Sequence, residues 1–264
     1  MNDSQKVPGH LRTDGVPEGF ENVEPRDLAG VLLHRNYEAE LTAIRILLFR
    51  HRQADKGLQD EIKSLEERPG FRSEQAVDRW LELLQFSTYQ GAAHSMAAVG
   101  MLAPLVESIF DGAFKRAHEE FFLTENSIAK HPRWEWATQA QWDCHLVYDK
   151  NGKHTKDIVR GILQLSEAIG LAPHLPRDLK SMLEALFEYR NKMFHCGFEW
   201  PLEMRNKFVK RITDAGWPSN WFEMATSDGV PTIIYLTDVF VDICLKRIDR
   251  TIDGMGAFAA ERLR

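Results

Sequence analysis

Cysteine is scarce in this chain of 264 residues: Cys144, Cys196 and Cys244 stand far apart, and no Cys-x-x-Cys pair occurs. Three isolated thiols exclude a disulfide framework and point to a reducing compartment, the cytoplasm. The first residues contain no apolar core of the kind that marks a secretory signal. No stretch is expected to reach the length of a membrane-crossing helix, since 44–49 is short and set among arginines. Sustained alternation of apolar and polar residues is missing, as are repeats and low-complexity tracts, which argues against sheet-based and solenoid folds. Also missing are Gly-x-Gly-x-x-Gly, the P-loop, His-Glu-x-x-His and Gly-x-Ser-x-Gly, which removes the usual nucleotide-hydrolase, metalloprotease and esterase chemistries. A net charge of −6 supplies no global basic field for nucleic acid. That counts against a general RNA coat and leaves room for an enzyme with one local cleft.

What the chain does have is helical periodicity. Hydrophobic content of 44% is ample for a core. Residues 1–24 carry prolines and glycines with little periodicity and are read as a flexible tail. A helix is expected from Glu24-Pro25 to about His51, followed by a charged piece, 55–67. Arg68-Pro69-Gly70 is a break, and a long helical region, 73–122, follows it. Its stretch from Gly91 to Met101 is rich in small residues that suit a tight helix crossing, and Pro104 is expected to kink or restart the helix. An irregular, tryptophan-rich insert covers 124–154, with Trp134, Trp136 and Trp142 and the turn Asp149-Lys150-Asn151-Gly152. Further helices are expected over 156–169, 176–196, 201–215 and 232–254, with Trp217-Pro218 and Trp221-Phe222 forming an aromatic turn. The fold class is therefore all-α: one helical domain, 25–258, behind the tail.

The most informative stretch is Tyr189-Arg190-Asn191-Lys192-Met193-Phe194-His195, at the end of a patterned helix before Gly197 and Pro201. At about 100° per residue, Leu179, Met182, Leu183, Leu186, Phe187, Tyr189, Met193 and Phe194 form an apolar arc, and Arg190 falls near its middle. A guanidinium cannot be deprotonated and is costly to bury unpaired, so this placement requires a carboxylate, a cleft or an anionic ligand. Asn191 and His195, four apart, share one face beside it. A fixed cation, an amide and an imidazole able to exchange a proton near neutral pH suit a scissile phosphate in RNA. The arginine would neutralise developing charge, and the histidine would move a proton to or from the 2′-hydroxyl or the leaving oxygen. With the 2′-hydroxyl as nucleophile, no metal is needed.

These residues resemble the active-site motif of HEPN domains, in which Arg and His are separated by four to six residues and a polar residue often follows the Arg. The resemblance rests on this short motif and its all-helical setting. It implies a HEPN-type bundle, here with extra N-terminal helices and the tryptophan-rich insert. It also implies a metal-independent, cofactor-free endoribonuclease acting as a homodimer, in a toxin–antitoxin or antiviral setting with a cognate antitoxin or regulatory protein. Arg190, Asn191 and His195 are the catalytic candidates it carries over. Lys192, Arg205 and Lys207 are candidates for holding RNA, although a basic run such as Lys192, Arg205, Lys207, Lys210 and Arg211 also suits a solvated helix face.

Competing readings remain open on the same residues. A second Arg–His pair, Arg45 and His51 with five residues between, is read as a spacing coincidence, because it lies mid-helix with apolar Ile46 after the arginine. Arg205-Asn206-Lys207 echoes the motif but has no histidine at the required distance. Cys144-His145 and His195-Cys196 invite zinc, yet their spacing matches no usual zinc module. His118 beside Glu119 and Glu120 has no second histidine near it and is read as surface. Arg190 could instead anchor a nucleotide or a partner protein without cutting, or pair internally with a carboxylate such as Glu107 while His195 caps its helix.

Overall fold

The computed structural model describes residues 24–33, 35–69, 71–121, 131–135, 139–227 and 229–263. The N-terminal tail and Trp136 lie outside the described residues. The described chain is mostly helical, as the periodicity requires, with seven α-helices and two short hairpins.

Helix α1, Pro25–Leu33, and helix α2, Tyr37–Glu66, replace the expected single helix. The break is enforced by Asn36, whose side chain accepts from the Ala39 N–H at 3.1 Å and caps α2. Helix α2 then runs through the charged piece without interruption. Helix α3, Glu74–Phe121, is likewise continuous, with Pro104 inside it. Composition alone would let α3 cross a membrane, contrary to the sequence expectation. In this fold 56% of its apolar window is buried against neighbouring elements. Where α2 and α3 run on together, Leu58, Ile62 and Leu83 form a small cluster of their own.

Strands β1, Leu146–Tyr148, and β2, His154–Lys156, pair antiparallel across the predicted Asp149–Gly152 turn. Helix α4, Ile158–Ile169, is capped by the Asp157 side chain and closed by Gly170. Helix α5, Leu179–Cys196, carries the motif, and α6, Leu202–Asp214, follows it. The expected aromatic turn is present, with Trp217, Trp221 and Phe222 buried, but the helix expected at 232–254 resolves differently: β3, Phe222–Ser227, pairs with β4, Val230–Leu236, and α7, Asp238–Arg262, begins only at the Thr237 cap.

Helices α1, α3, α5 and α7 share the main core with α4. Arg26 ties α1 to α7 through Asp249 at 2.9 Å and Asp253 at 2.8 Å. The small-residue stretch of α3 admits close neighbours, the β4 hairpin at Gly91 and Ser95 and the Phe194 ring of the motif helix at Gly100. Gly91 lies under the Tyr235 ring, Ser95 Oγ accepts the Leu236 N–H at 2.8 Å, and a Cβ at Gly100 would meet Phe194 Cζ at 3.2 Å. Tyr189 is fully buried and donates to Ile234 O at 2.9 Å, which fixes the motif helix against β4.

Candidate functional site

The motif helix ends as its sequence requires. Gly197 takes φ +69°, and its N–H donates to Met193 O at 2.9 Å. Trp200 Nε1 then donates to Gly197 O at 3.0 Å and pins the exit. Within the expected apolar arc, Leu179, Met182, Leu183, Leu186, Phe187, Tyr189 and Met193 are buried. Phe194 is 58% exposed instead, and Arg190 is half-buried among these apolar positions.

Arg190 lines a groove of about 1160 Å³ between α3 and the tryptophan-rich insert. Its Nη1 donates to Asn191 Oδ1 at 3.1 Å, and its guanidinium carbon stands 6.0 Å from the centre of the Phe194 ring. Among the described residues it has no carboxylate partner; Glu107, the candidate for one, is held by His145. Asn191 and His195 are both exposed and share one face. Five residues along a helix turn His195 by roughly 140° from Arg190 and raise it about 7.5 Å, and it is not among the groove's lining residues.

The basic candidates separate. Lys192 is half-buried and makes no ion pair among the described residues. Lys207 pairs with Glu203 at 2.6 Å, Lys210 with Asp214 at 2.6 Å, and Arg211 with Glu184 and Glu188. Arg205 donates to Pro231 O and, at 3.1 Å, to Thr232 O, fastening α6 to β4. The α6 charges form the solvated helix face rather than a free basic strip.

The groove is mixed in charge. Glu107, Ser108, Asp111, Lys115, His118 and Glu119 come from α3, and Gln141, Trp142, Asp143 and His145 from the insert. Lys115 pairs with Asp111 at 2.8 Å. His118, expected at the surface beside its glutamates, is half-buried and stacks on Trp142, which in turn meets Trp134. Each ring nitrogen of His145 faces a carboxylate, Nε2 to Glu107 at 2.8 Å and Nδ1 to Asp143 at 2.7 Å. The Glu107 bond, then Asp143, pull the His145 imidazole above its ordinary value. Burial would raise the Asp143 carboxyl, but hydrogen bonds from the His145 backbone and ring outweigh it and hold the group low. Burial, followed by the charges of Asp111, Asp143 and Glu107, pushes the Cys144 thiol up to about 12.

Sequence reasoning missed the anchor of this wall. Arg133 is fully buried and donates to Leu146 O at 2.8 Å, Asp143 O at 2.6 Å and Gln164 Oε1 at 2.9 Å. Its position in an irregular insert carried no periodic signal. Cys144-His145 was visible as a pair of possible ligands, but the meeting of His145 with Asp143 and with Glu107, 38 residues before it, was not.

The spacing coincidence at Arg45 and His51 resolves into two unrelated contacts. Arg45 pairs with Asp249 of α7. His51 stacks on His94 with ring centres 4.3 Å apart and planes at 5°. His94 Nδ1 lies 2.8 Å from Asp55 Oδ2, and both rings line a second cavity of about 510 Å³ under Tyr235.

No family model, curated protein or solved structure matches this chain.

Proposed function

We propose that this chain is an endoribonuclease of HEPN type that cleaves RNA by attack of the 2′-hydroxyl on the adjacent phosphate. The observation that carries the reading is Arg190: a half-buried guanidinium on a groove wall, with a carbonyl from Asn191 and no carboxylate partner among the described residues. A permanent cation so placed has unused hydrogen-bond donors for a phosphate. Arg190 neutralises charge gathering on the non-bridging oxygens. His195, exposed at the helix end with no side-chain partner among the described residues, moves the proton. Asn191 orients the arginine. Lys192 adds charge, and Lys207 contributes by exchanging the weak, exposed pair with Glu203 for a phosphate.

Two copies supply both an acid and a base, so the working form is a homodimer with the motif helices near one another. The exposed Phe194 and Leu202 beside the motif favour such a face. The unpaired Cys144, Cys196 and Cys244 suit a reducing cytoplasm, where a toxin or antiviral nuclease would be held in check by an antitoxin or regulatory protein.

A second reading has one observation in its favour. His195 lies well round the helix from Arg190 and outside a groove rich in carboxylates, which suits a module that binds a nucleotide or a partner protein through Arg190 without cutting it. The deciding experiment is incubation of the purified protein with RNA and with the same RNA carrying a 2′-deoxy nucleotide at the cut position, alongside His195→Ala. The nuclease reading requires a 2′,3′-cyclic phosphate from the first and no cut in the second. Binding without cleavage by all proteins supports the alternative.

A further inference from the structure

Asp143, Cys144 and His145 take no part in the proposed cleavage, yet their side chains converge. Their ligand atoms lie within 4.8 Å of one another. Asp143 and His145 line the groove, and Cys144 is fully buried behind them. Glu107 reaches across from α3 to His145 Nε2. A core thiol thus lies beside an imidazole and a carboxylate, those of His145 and Asp143. A divalent ion held there would stabilise a thiolate and a carboxylate at once.

We propose that this cluster binds one zinc ion, with Asp143, Cys144 and His145 Nδ1 as protein ligands and a water in the fourth position, facing the groove. The ligand chemistry selects the ion. Sulfur, imidazole nitrogen and one carboxylate suit a small, borderline-soft cation and not magnesium or calcium, which take oxygen shells. With Nδ1 on the metal, the Nε2–H donates to Glu107, the usual outer carboxylate that fixes a ligating histidine. Binding displaces the thiol proton, and any second imidazole proton, to solvent.

The turn is held for this purpose from two sides. Arg133 grips the Asp143 and Leu146 carbonyls. Helix α4 closes so tightly on the Cys144 backbone that a Cβ at Gly161 would fall 2.0 Å from Cys144 O, so only glycine fits there. The site does not rest on the nuclease reading, and its test does not use RNA.

The full chain is stripped of metal and titrated with Zn²⁺ against a chromogenic chelator, and separately with Co²⁺ under an absorption spectrometer. One equivalent of Zn²⁺ should bind, and Co²⁺ should give a thiolate charge-transfer band with intense tetrahedral visible bands. Cys144→Ser should remove the charge-transfer band, while Cys196→Ser should leave it unchanged. Asp143→Asn and His145→Ala should weaken zinc at least tenfold, and Glu107→Gln should weaken it by about 10- to 100-fold. Circular dichroism checks each variant's fold. Should Cys144→Ser not fold, the wild-type cobalt band and the Asp143 and His145 variants decide. Absence of stoichiometric zinc, binding with no thiolate band, or equal affinity in the folded variants would overturn the proposal.

Discussion

Arg45–His51 and Arg190–His195 look alike in sequence and are opposites in the fold. Each sets an arginine five or six positions before a histidine on a helix. Arg45 ends in an ion pair with Asp249, and His51 is stacked face to face on His94 with its Nδ1 buried and unpartnered. Arg190 has no carboxylate among the described residues, and His195 stands in solvent at a helix end. Spacing therefore carries little information by itself. What separates the pairs is whether the tertiary neighbours have already satisfied the charge: a satisfied arginine holds the fold, and an unsatisfied one is available to a ligand.

Substitution at the histidines is the sharpest way to break that comparison. His195→Ala should slow RNA cleavage by about 10²- to 10⁴-fold, and Arg190→Ala at least as much, because it removes transition-state charge stabilisation. His51→Ala should change the rate little. Initial rates on one RNA, with circular dichroism to certify folding, check all three.

Arg133 marks the structural extreme among the arginines. It is fully buried, and its bonds tie the Asp143 turn, β1 and α4 together. Arg133→Met leaves buried carbonyls without donors and should cost roughly 3 kcal/mol, read as a lower midpoint in urea. Arg45→Ala should cost less, up to about 1 kcal/mol, since its pair with Asp249 is partly solvated, and should leave the cleavage rate of folded protein unchanged.

The smallest effect separates the histidines by pH. Burial first, and the neighbouring His94 second, hold the His51 imidazole below its ordinary value. The unfolded chain then binds more protons as the pH falls through about 6.5, so the stability this neutral ring contributes is full above that value and is lost as the pH drops toward the folded one. His51→Gln should shrink the difference in melting temperature between about pH 7.5 and pH 5.5.

Much of the helical framework was legible from local chemistry. Asp157 and Gly170 bracket α4, and Gly197 ends α5, because caps act on their own chain neighbours. The hairpins were not legible. All three residues of β1 are buried and all three of β2 exposed, so neither strand shows alternation, although the turn between them was plain. At the site, Arg190 was found because a charge in an apolar arc is a local anomaly. The groove it lines was not, because its other wall comes from residues far along the chain. The meeting of Glu107 with His145 likewise joins α3 to the insert, and no spacing rule connects them.

The central claim is that the unsatisfied pair cuts RNA. The most direct measurement compares wild type, Arg190→Ala, His195→Ala and His51→Ala on a defined RNA and on its 2′-deoxy counterpart, with product ends identified by mass. The account predicts cyclic-phosphate products from wild type and His51→Ala only, and no cut where the 2′-hydroxyl is missing. Equal cleavage by the His195→Ala protein, or any cut at the 2′-deoxy position, would contradict it.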